Sequence, residues 1–520
     1  MDTLNRSGRY SDLLLFAGAL LALFLFYLKQ FHAGACALLI FSVLSVLVSR
    51  WDPSVLLANA VATTLIIPSG GYFYEGRMLN VFVLRLTVDK ILLIALLITL
   101  LLKIFSRKKP EAFRINKNSM LPVLFCFIAL LSFAVSPYHE DKFRILLLVL
   151  NAGLFILWLQ SDIRPNLRSL LLPVFCVYFL SLLPALHEVF TRQNIFAHSV
   201  RRYVESLGLI HVLRGTEGFH LYLAVRMLVF LPLTYLFFKN RRVLVVFLIA
   251  LQSFLILHTF SRGALLALGA ELLLIGLLDL RENGLPDKKR IAAFLAALCF
   301  MVGGFYYSNF FKSFSLRNDI RLPVFLENFY FQKLDYKNTV VDLDPSHFIK
   351  NNPANLSTLV KMEKGDGHKY KVSSEISFVS RKIAVRFMRE VLLERPFLGV
   401  GFGQFQIAAS YSKTKEIVEW LAVRKADLAP DNLYVQILAE SGICGGIVFF
   451  LAAFAPFLLV RKTRPELLIA LAGVLIAGLS CEVLSNSHSS LLFWFLLLLI
   501  YVTPPAQACE RQDGRPAARN

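Results

Sequence analysis

The sequence predicts an all-α integral membrane protein: a polytopic bundle of about 12–14 transmembrane helices with one large extracytoplasmic segment. Composition supports this first, since 57% of the 520 residues are hydrophobic and the mean hydropathy is +0.62, outside the range of soluble globular chains. Apolar runs long enough to cross a hydrocarbon core of about 30 Å also recur along the whole chain. Finally, Lys and Arg gather in alternate short loops, as membrane orientation requires.

The runs lie near residues 13–28, 33–48, 54–67, 80–105, 119–136, 143–160, 168–186, 219–238, 243–260, 264–280, 290–308, 433–460, 466–484 and 488–503. The third is short and the fourth long. No small-residue cleavage site follows Leu28, so the first run reads as a span rather than a signal peptide.

The basic loops are Arg107-Lys108-Lys109 through Lys117, Lys239-Asn240-Arg241-Arg242, Arg281 through Arg290, and Arg461-Lys462-Thr463-Arg464. All four fall on one side of the count, which is therefore the cytoplasm, and both termini lie there with them. The loops 70–80 and 485–489 face the other way and carry one Arg and none. The net charge of +20 needs no nucleic acid, because much of it is this loop bias beside anionic headgroups.

Four regions follow. Residues 1–309 hold the N-terminal spans, and 310–432 form a large segment on the extracytoplasmic side. Residues 433–503 hold the C-terminal spans, and 504–520 form a polar, disordered cytoplasmic tail. The 310–432 segment has no long apolar run; residues 378–394 read as helix and 334–355 as irregular. Residues 187–218 make a second, smaller extracytoplasmic stretch.

The seven cysteines form no CxxC pair and six lie in predicted spans, which argues for apolar packing and against a disulfide framework or zinc site. No Walker loop, dinucleotide-binding glycine pattern, HExxH or GxSxG is present. No cofactor or metal is expected.

Chemistry must therefore come from charged residues at the membrane mouth. Thr259-Phe260-Ser261-Arg262-Gly263-Ala264 separates two spans with almost no loop. Arg262 there is either an interfacial arginine snorkelling to headgroups or a fork that grips a phosphate in bidentate geometry. Arg381 opens a run with Lys382, Arg386 and Arg389 at helical spacing, and a solvated basic face suits Lys382 and Arg389. Arg214 precedes the return of the chain to the membrane, and Arg226 lies inside that span, where an arginine faces a polar interior. Asp431 or Asn432 caps the helix that follows, and Asp431 is also placed to take a proton from a sugar hydroxyl. Glu482 and His488 are weaker candidates for binding sugar hydroxyls. Gly399-Val400-Gly401-Phe402-Gly403 lacks the Lys and the strand–helix context of a phosphate loop.

Taken in order, these motifs resemble the superfamily of O-antigen ligases and O-antigen or exopolysaccharide polymerases. The resemblance rests on Thr259 through Leu268, on Arg381 with Glu394-Arg395-Pro396-Phe397-Leu398-Gly399-Val400-Gly401-Phe402-Gly403, and on Asp431-Asn432-Leu433-Tyr434 with Ala439-Glu440-Ser441-Gly442-Ile443-Cys444-Gly445-Gly446. It covers roughly residues 200–460.

The resemblance implies a metal-independent glycosyltransferase of the bacterial inner membrane, with its active site facing the periplasm. The donor would be a glycan on undecaprenyl pyrophosphate, and the acceptor another glycan or lipid A-core; a flippase and a chain-length regulator would be partners. It implies that Arg262 and Arg381 hold the pyrophosphate, with Arg214 and Arg226 nearby. Asn432, Gly399, Gly401, Gly403 and Glu440 would shape the acceptor side. Ligases of the family carry an essential His immediately before the Asn of the last motif, and this chain has Asp431 there. That departure favours a polymerase, with ligation as the neighbouring alternative. A lipid-linked sugar transporter is a more distant one, disfavoured because the polar residues cluster at one face rather than at the midplane.

Overall fold

The computed structural model describes residues 2–28, 30–67, 79–81, 84–106, 120–139, 142–161, 163, 167–191, 200–204, 208–216, 220–284, 376–414, 417, 428–459, 465–484 and 486–502, with short pieces at 295–296, 298–299, 303, 340–341 and 370–371. The helices are α1 (Asp2–Tyr27), α2 (Phe31–Val48), α3 (Pro53–Ile66), α4 (Val88–Phe105), α5 (Met120–Ala134), α6 (Lys142–Gln160), α7 (Leu167–Ser181), α8 (Leu183–Thr191), α9 (His220–Phe238), α10 (Arg242–His258), α11 (Arg262–Asn283), α12 (Ile376–Glu394), α13 (Phe405–Ser410), α14 (Leu433–Leu459), α15 (Pro465–Ala477) and α16 (Ser487–Val502). Three two-stranded antiparallel hairpins interrupt them: β1 (Leu79–Val81) with β2 (Leu84–Leu86), β3 (Val200–Val204) with β4 (Gly208–Val212), and β5 (Val340–Val341) with β6 (Tyr370–Lys371).

By length and composition, six helical stretches suffice to cross a membrane: 10–27, 142–160, 170–191, 220–238, 262–283 and 433–458. Six shorter apolar helices accompany them. The protein is an all-α polytopic membrane protein, as its hydropathy requires. The run expected at 290–308 lies mostly outside the described residues, as does most of 310–375.

Three predicted spans end differently from their apolar runs. The fourth begins only at Val88, because Leu79–Leu86 pairs as a hairpin first. The seventh divides at Leu182. Pro184 has no N–H to continue the ladder, and its ring would meet the carbonyl four residues back. The thirteenth stops at Ala477 rather than near 484, leaving a turn over 478–486 whose carbonyls bond elsewhere.

Helix α9 is the axis of the bundle. Its residues His220, Leu221 and Leu223–Tyr235 are buried without a polar stripe, as expected of a helix enclosed by others. Buried polar side chains are paired across it: the Tyr178 hydroxyl donates to Gln252 Oε1 at 2.8 Å, and Gln252 Nε2 donates to Thr234 Oγ1 at 3.0 Å. At one end, Lys239 Nζ lies 3.0 Å from Glu282 and 3.4 Å from Glu466. This joins the C-terminal ends of α9 and α11 to the N-terminal end of α15. The N-terminal ends of α9 and α11 and the C-terminal end of α15 therefore gather at the opposite end.

Candidate active site

A second core organises that opposite end. Ile383, Ala384, Phe387 and Val391 recur at helical spacing on α12 and pack on Val400, Phe405, Ala408, Ala409, Ile417, Leu428, Val435 and Ala439. This fixes α12 against the start of α14. Lys382, Arg386 and Arg389 are left on its exposed side, while Arg381 is partly buried.

The glycine-rich segment is not a phosphate loop. It is a splint on a broken helix. Helix α14 kinks at Gly442, whose φ of 65° leaves carbonyls and N–H groups without their usual helical partners. Val400 N–H donates to Ala439 O at 2.9 Å and Gly401 N–H to Glu440 O at 3.0 Å. Across the kink, Ile443 N–H donates to Pro396 O at 2.8 Å and Cys444 N–H to Phe397 O at 3.3 Å. Ser132 Oγ lies 2.6 Å from both Leu398 O and Glu440 O, and Ser136 Oγ donates to Val400 O. Non-helical backbone inside a membrane protein is tolerated when the surrounding protein satisfies it in this way. Gly399 (φ 64°) and Gly442 meet face to face: a Cβ on Gly399 would stand 2.9 Å from Gly442 N, and one on Gly442 2.6 Å from Leu398 N. Gly401 and Gly403 also have positive φ, 109° and 82°.

The turn 478–486 draws the predicted residues together. Gly478 O accepts Leu433 N–H at 2.8 Å, and Leu479 O accepts Asn432 Nδ2 at 2.8 Å. Ser480 O accepts Arg381 Nη2 at 3.4 Å. Gly263, next to Arg262, packs so closely on Ser480 that any Cβ there would collide with the serine side chain. Arg381 and the glycine that follows Arg262 thus meet one residue from two helices far apart in sequence. Arg262 itself is exposed at the first position of α11, whose N-cap Ser261 accepts Ala264 N–H at 3.3 Å. Asp431, Glu482 and Arg381 all act electrostatically on the Cys481 thiol, which places the three beside it.

Asn432, not Asp431, is the helix cap: its Oδ1 accepts the N–H groups of Tyr434 at 2.9 Å and Val435 at 3.0 Å. Asp431 precedes it in the left-handed region, φ 45°, with its side chain half-buried. Asn432→Ala is therefore expected to cost about 1 kcal/mol from the lost cap, and more from the lost bond to Leu479, measured as a lower Tm in detergent. Asp431→Ala should leave the cap intact.

Arg214 and Arg226 hold the neighbouring loop. Glu188, wholly buried, accepts the N–H groups of Arg214 at 3.1 Å and Gly215 at 2.7 Å, and Leu213 N–H donates to His258 O at 3.0 Å. The Arg214 loop is thereby tied to the end of α10, just before Arg262. Arg226 is only 1% exposed, and its Nη1 donates to Leu65 O at 2.9 Å and Thr216 Oγ1 at 2.7 Å. These bonds clamp α9 to the end of α3. His488 is also buried, near Asp89, Lys90 and Arg226.

Glu440 is wholly buried. Gln436 Nε2 donates to its Oε2 at 3.1 Å, and Phe405 N–H to its Oε1 at 3.4 Å. Arg144, absent from the sequence reading, lies beside it: Nη1 is 3.8 Å from Glu440 Oε1 and 3.9 Å from Glu482 Oε2. Its only local signal was Lys142-Phe143-Arg144 at the start of an apolar run, indistinguishable there from an interfacial arginine. Tyr222, on α9, is close enough to Glu482, Cys481, Arg144 and Asp431 to feel each of them.

A polytopic bundle with arginines and carboxylates converging at one end defines an integral membrane protein with a single-ended charged site. Residues 245–450 match the family model described as O-antigen ligase, which supports assigning that part of the chain to the O-antigen ligase and polymerase superfamily. No curated protein matches the chain closely enough to add to this. The matched span contains Arg262, Arg381, the glycine splint, Asp431 and Glu440, but not Arg144 or the turn 478–486. The match supports a membrane glycan-processing enzyme of glycosyltransferase type, a class that takes a lipid-linked glycan and an acceptor.

Proposed function

We propose that this protein polymerises undecaprenyl-pyrophosphate-linked oligosaccharide repeat units into a surface polysaccharide. The observation that carries the reading is that the Arg381 guanidinium and Gly263, the neighbour of Arg262, both pack on Ser480, with Asp431 next to the residues bonded to the same turn. In the transfer, an acceptor hydroxyl oxygen attacks the anomeric carbon of the donor glycan. The bond from that carbon to the pyrophosphate oxygen breaks, and the lipid pyrophosphate leaves with the electron pair. The hydroxyl proton passes to Asp431. Arg262 and Arg381 hold the diphosphate as its charge grows, and fixed guanidinium groups do so without reorganising. In this reading the site end faces the periplasm, residues 310–432 form the periplasmic segment, and both termini lie in the cytoplasm of a bacterial inner membrane. A flippase supplies the donor and a chain-length regulator acts on the product.

Purified protein given the lipid-linked repeat unit alone is expected to build chains. If it instead transfers glycan only when lipid A-core is present, the ligase reading replaces this one. Arg262→Lys and Arg381→Lys are each expected to lower the transfer rate by roughly 10²-fold, the scale of losing one preorganised donor. A compact ammonium cannot reproduce the planar fork. Initial rates from single-turnover assays measure it, and near-normal rates for both variants would remove the diphosphate from this pair.

A further inference from the structure

Arg144 has no part in the transfer as just described, yet it sits where the charges of the site must be balanced. Its side chain is 13% exposed, and those of Glu440 and Glu482 are 0% and 11% exposed. One nitrogen, Nη1, serves both carboxylates at 3.8 and 3.9 Å. Asp431 adds a third carboxylate to the same neighbourhood, through Cys481 and Tyr222. Carboxylates sharing a partly dry site raise one another's affinity for protons. A general base must be ionised at the working pH to accept one.

We propose that Arg144 is a positioning residue for glycan transfer, the cation that holds Glu440 and Glu482 and offsets their negative charge so that Asp431 takes the acceptor proton near neutral pH. The proposal rests on the reading of Asp431 as base. The other charged or titratable groups around Arg144 are few. Helix α14 brings Glu440, the 478–486 turn brings Glu482 and Cys481, α9 brings Tyr222, and α12 brings Arg381. From α4 come Asp89 and Lys90, whose Nζ lies 5.0 Å from the Phe143 ring centroid; α16 brings His488, and α5 brings the Cys126 thiol but no charged side chain.

The test is the pH dependence of chain growth by the purified full-length protein with a lipid-linked repeat unit. Arg144→Gln is expected to move the acid limb upward by about one pH unit or more, the scale of removing a close opposite charge. Arg144→Lys should restore most of the native profile, since the charge returns. Adding Glu482→Gln to Arg144→Gln should bring the limb back down, because the uncompensated carboxylate is gone. In the otherwise native chain, Glu482→Gln should move the limb below that of the parent, and this arm stands even if Arg144→Gln does not fold. A lowered rate with an unmoved limb in Arg144→Gln, or an unmoved limb in Glu482→Gln, overturns the proposal. Absence of chain growth by the parent protein, or normal growth by Asp431→Asn, defeats instead the function on which it rests.

Discussion

Asp431→Asn is expected to lower glycan transfer by about 10²–10⁴-fold, the usual contribution of a positioned general base, while the folded protein and its donor affinity persist. The substitution is unusually clean. Asn tolerates the left-handed backbone that Asp431 adopts, and the cap is supplied by Asn432 in any case. Only the proton acceptor is lost. Asp431→Ala is less clean, because alanine in that conformation costs about 1–2 kcal/mol, a backbone penalty rather than the cap loss that the sequence suggested. Chain growth by the purified Asn variant, read beside its Tm and its binding of the lipid diphosphate, settles the matter. Near-parental growth would reduce Asp431 to a turn residue and leave Glu482 as the next carboxylate to examine.

The largest expected effect on stability is from Gly399→Ala. The residue needs a positive φ, and its added methyl would meet the backbone of the α14 kink on three sides: Ala439 O, Glu440 C and Gly442 N. Rotating a side chain cannot relieve a clash with backbone, so the splint must lift. Four backbone hydrogen bonds, from Val400, Gly401, Ile443 and Cys444, are then strained or lost. At about 1 kcal/mol each, plus about 1–2 kcal/mol of dihedral strain, the total is about 5 kcal/mol. That falls in the exceptional range for one methyl group. Thermal unfolding in detergent should show either a large drop in Tm or no folded protein. A shift of only a degree or two would mean that the two segments do not bear on each other.

The architecture was legible because hydropathy is a local property, and a span such as α9 declares itself residue by residue. The motif arginines were legible for a related reason: Arg262 stands alone between two apolar runs, and an isolated charge at membrane depth requires an account. Contacts between distant segments left no such trace. Arg144 reaches Glu440 across 296 positions of sequence, and Ser132 bonds carbonyls on the far side of the chain. Neither has a spacing that periodicity can report. The glycines of 399–403 marked a special backbone without saying what it approaches, because their composition is the same whether the neighbour is a ligand or another backbone. Arg226 looked like a cavity residue for the converse reason: its partner, Leu65 O, is a main-chain atom that any residue would supply. The turn 478–486 was hidden inside an apolar run because Cys481 and Val483 kept the hydropathy high.

The separate core that seats α12 has a bearing on how the site can be disturbed from a distance. Arg381 lies on the helix that packs, through Ile383, Ala384, Phe387 and Val391, against α13 and the start of α14. Its placement is therefore also a matter of side-chain volume: removing the Phe405 ring would leave a void in that small core, and the guanidinium would drift with its helix although no charged group had changed.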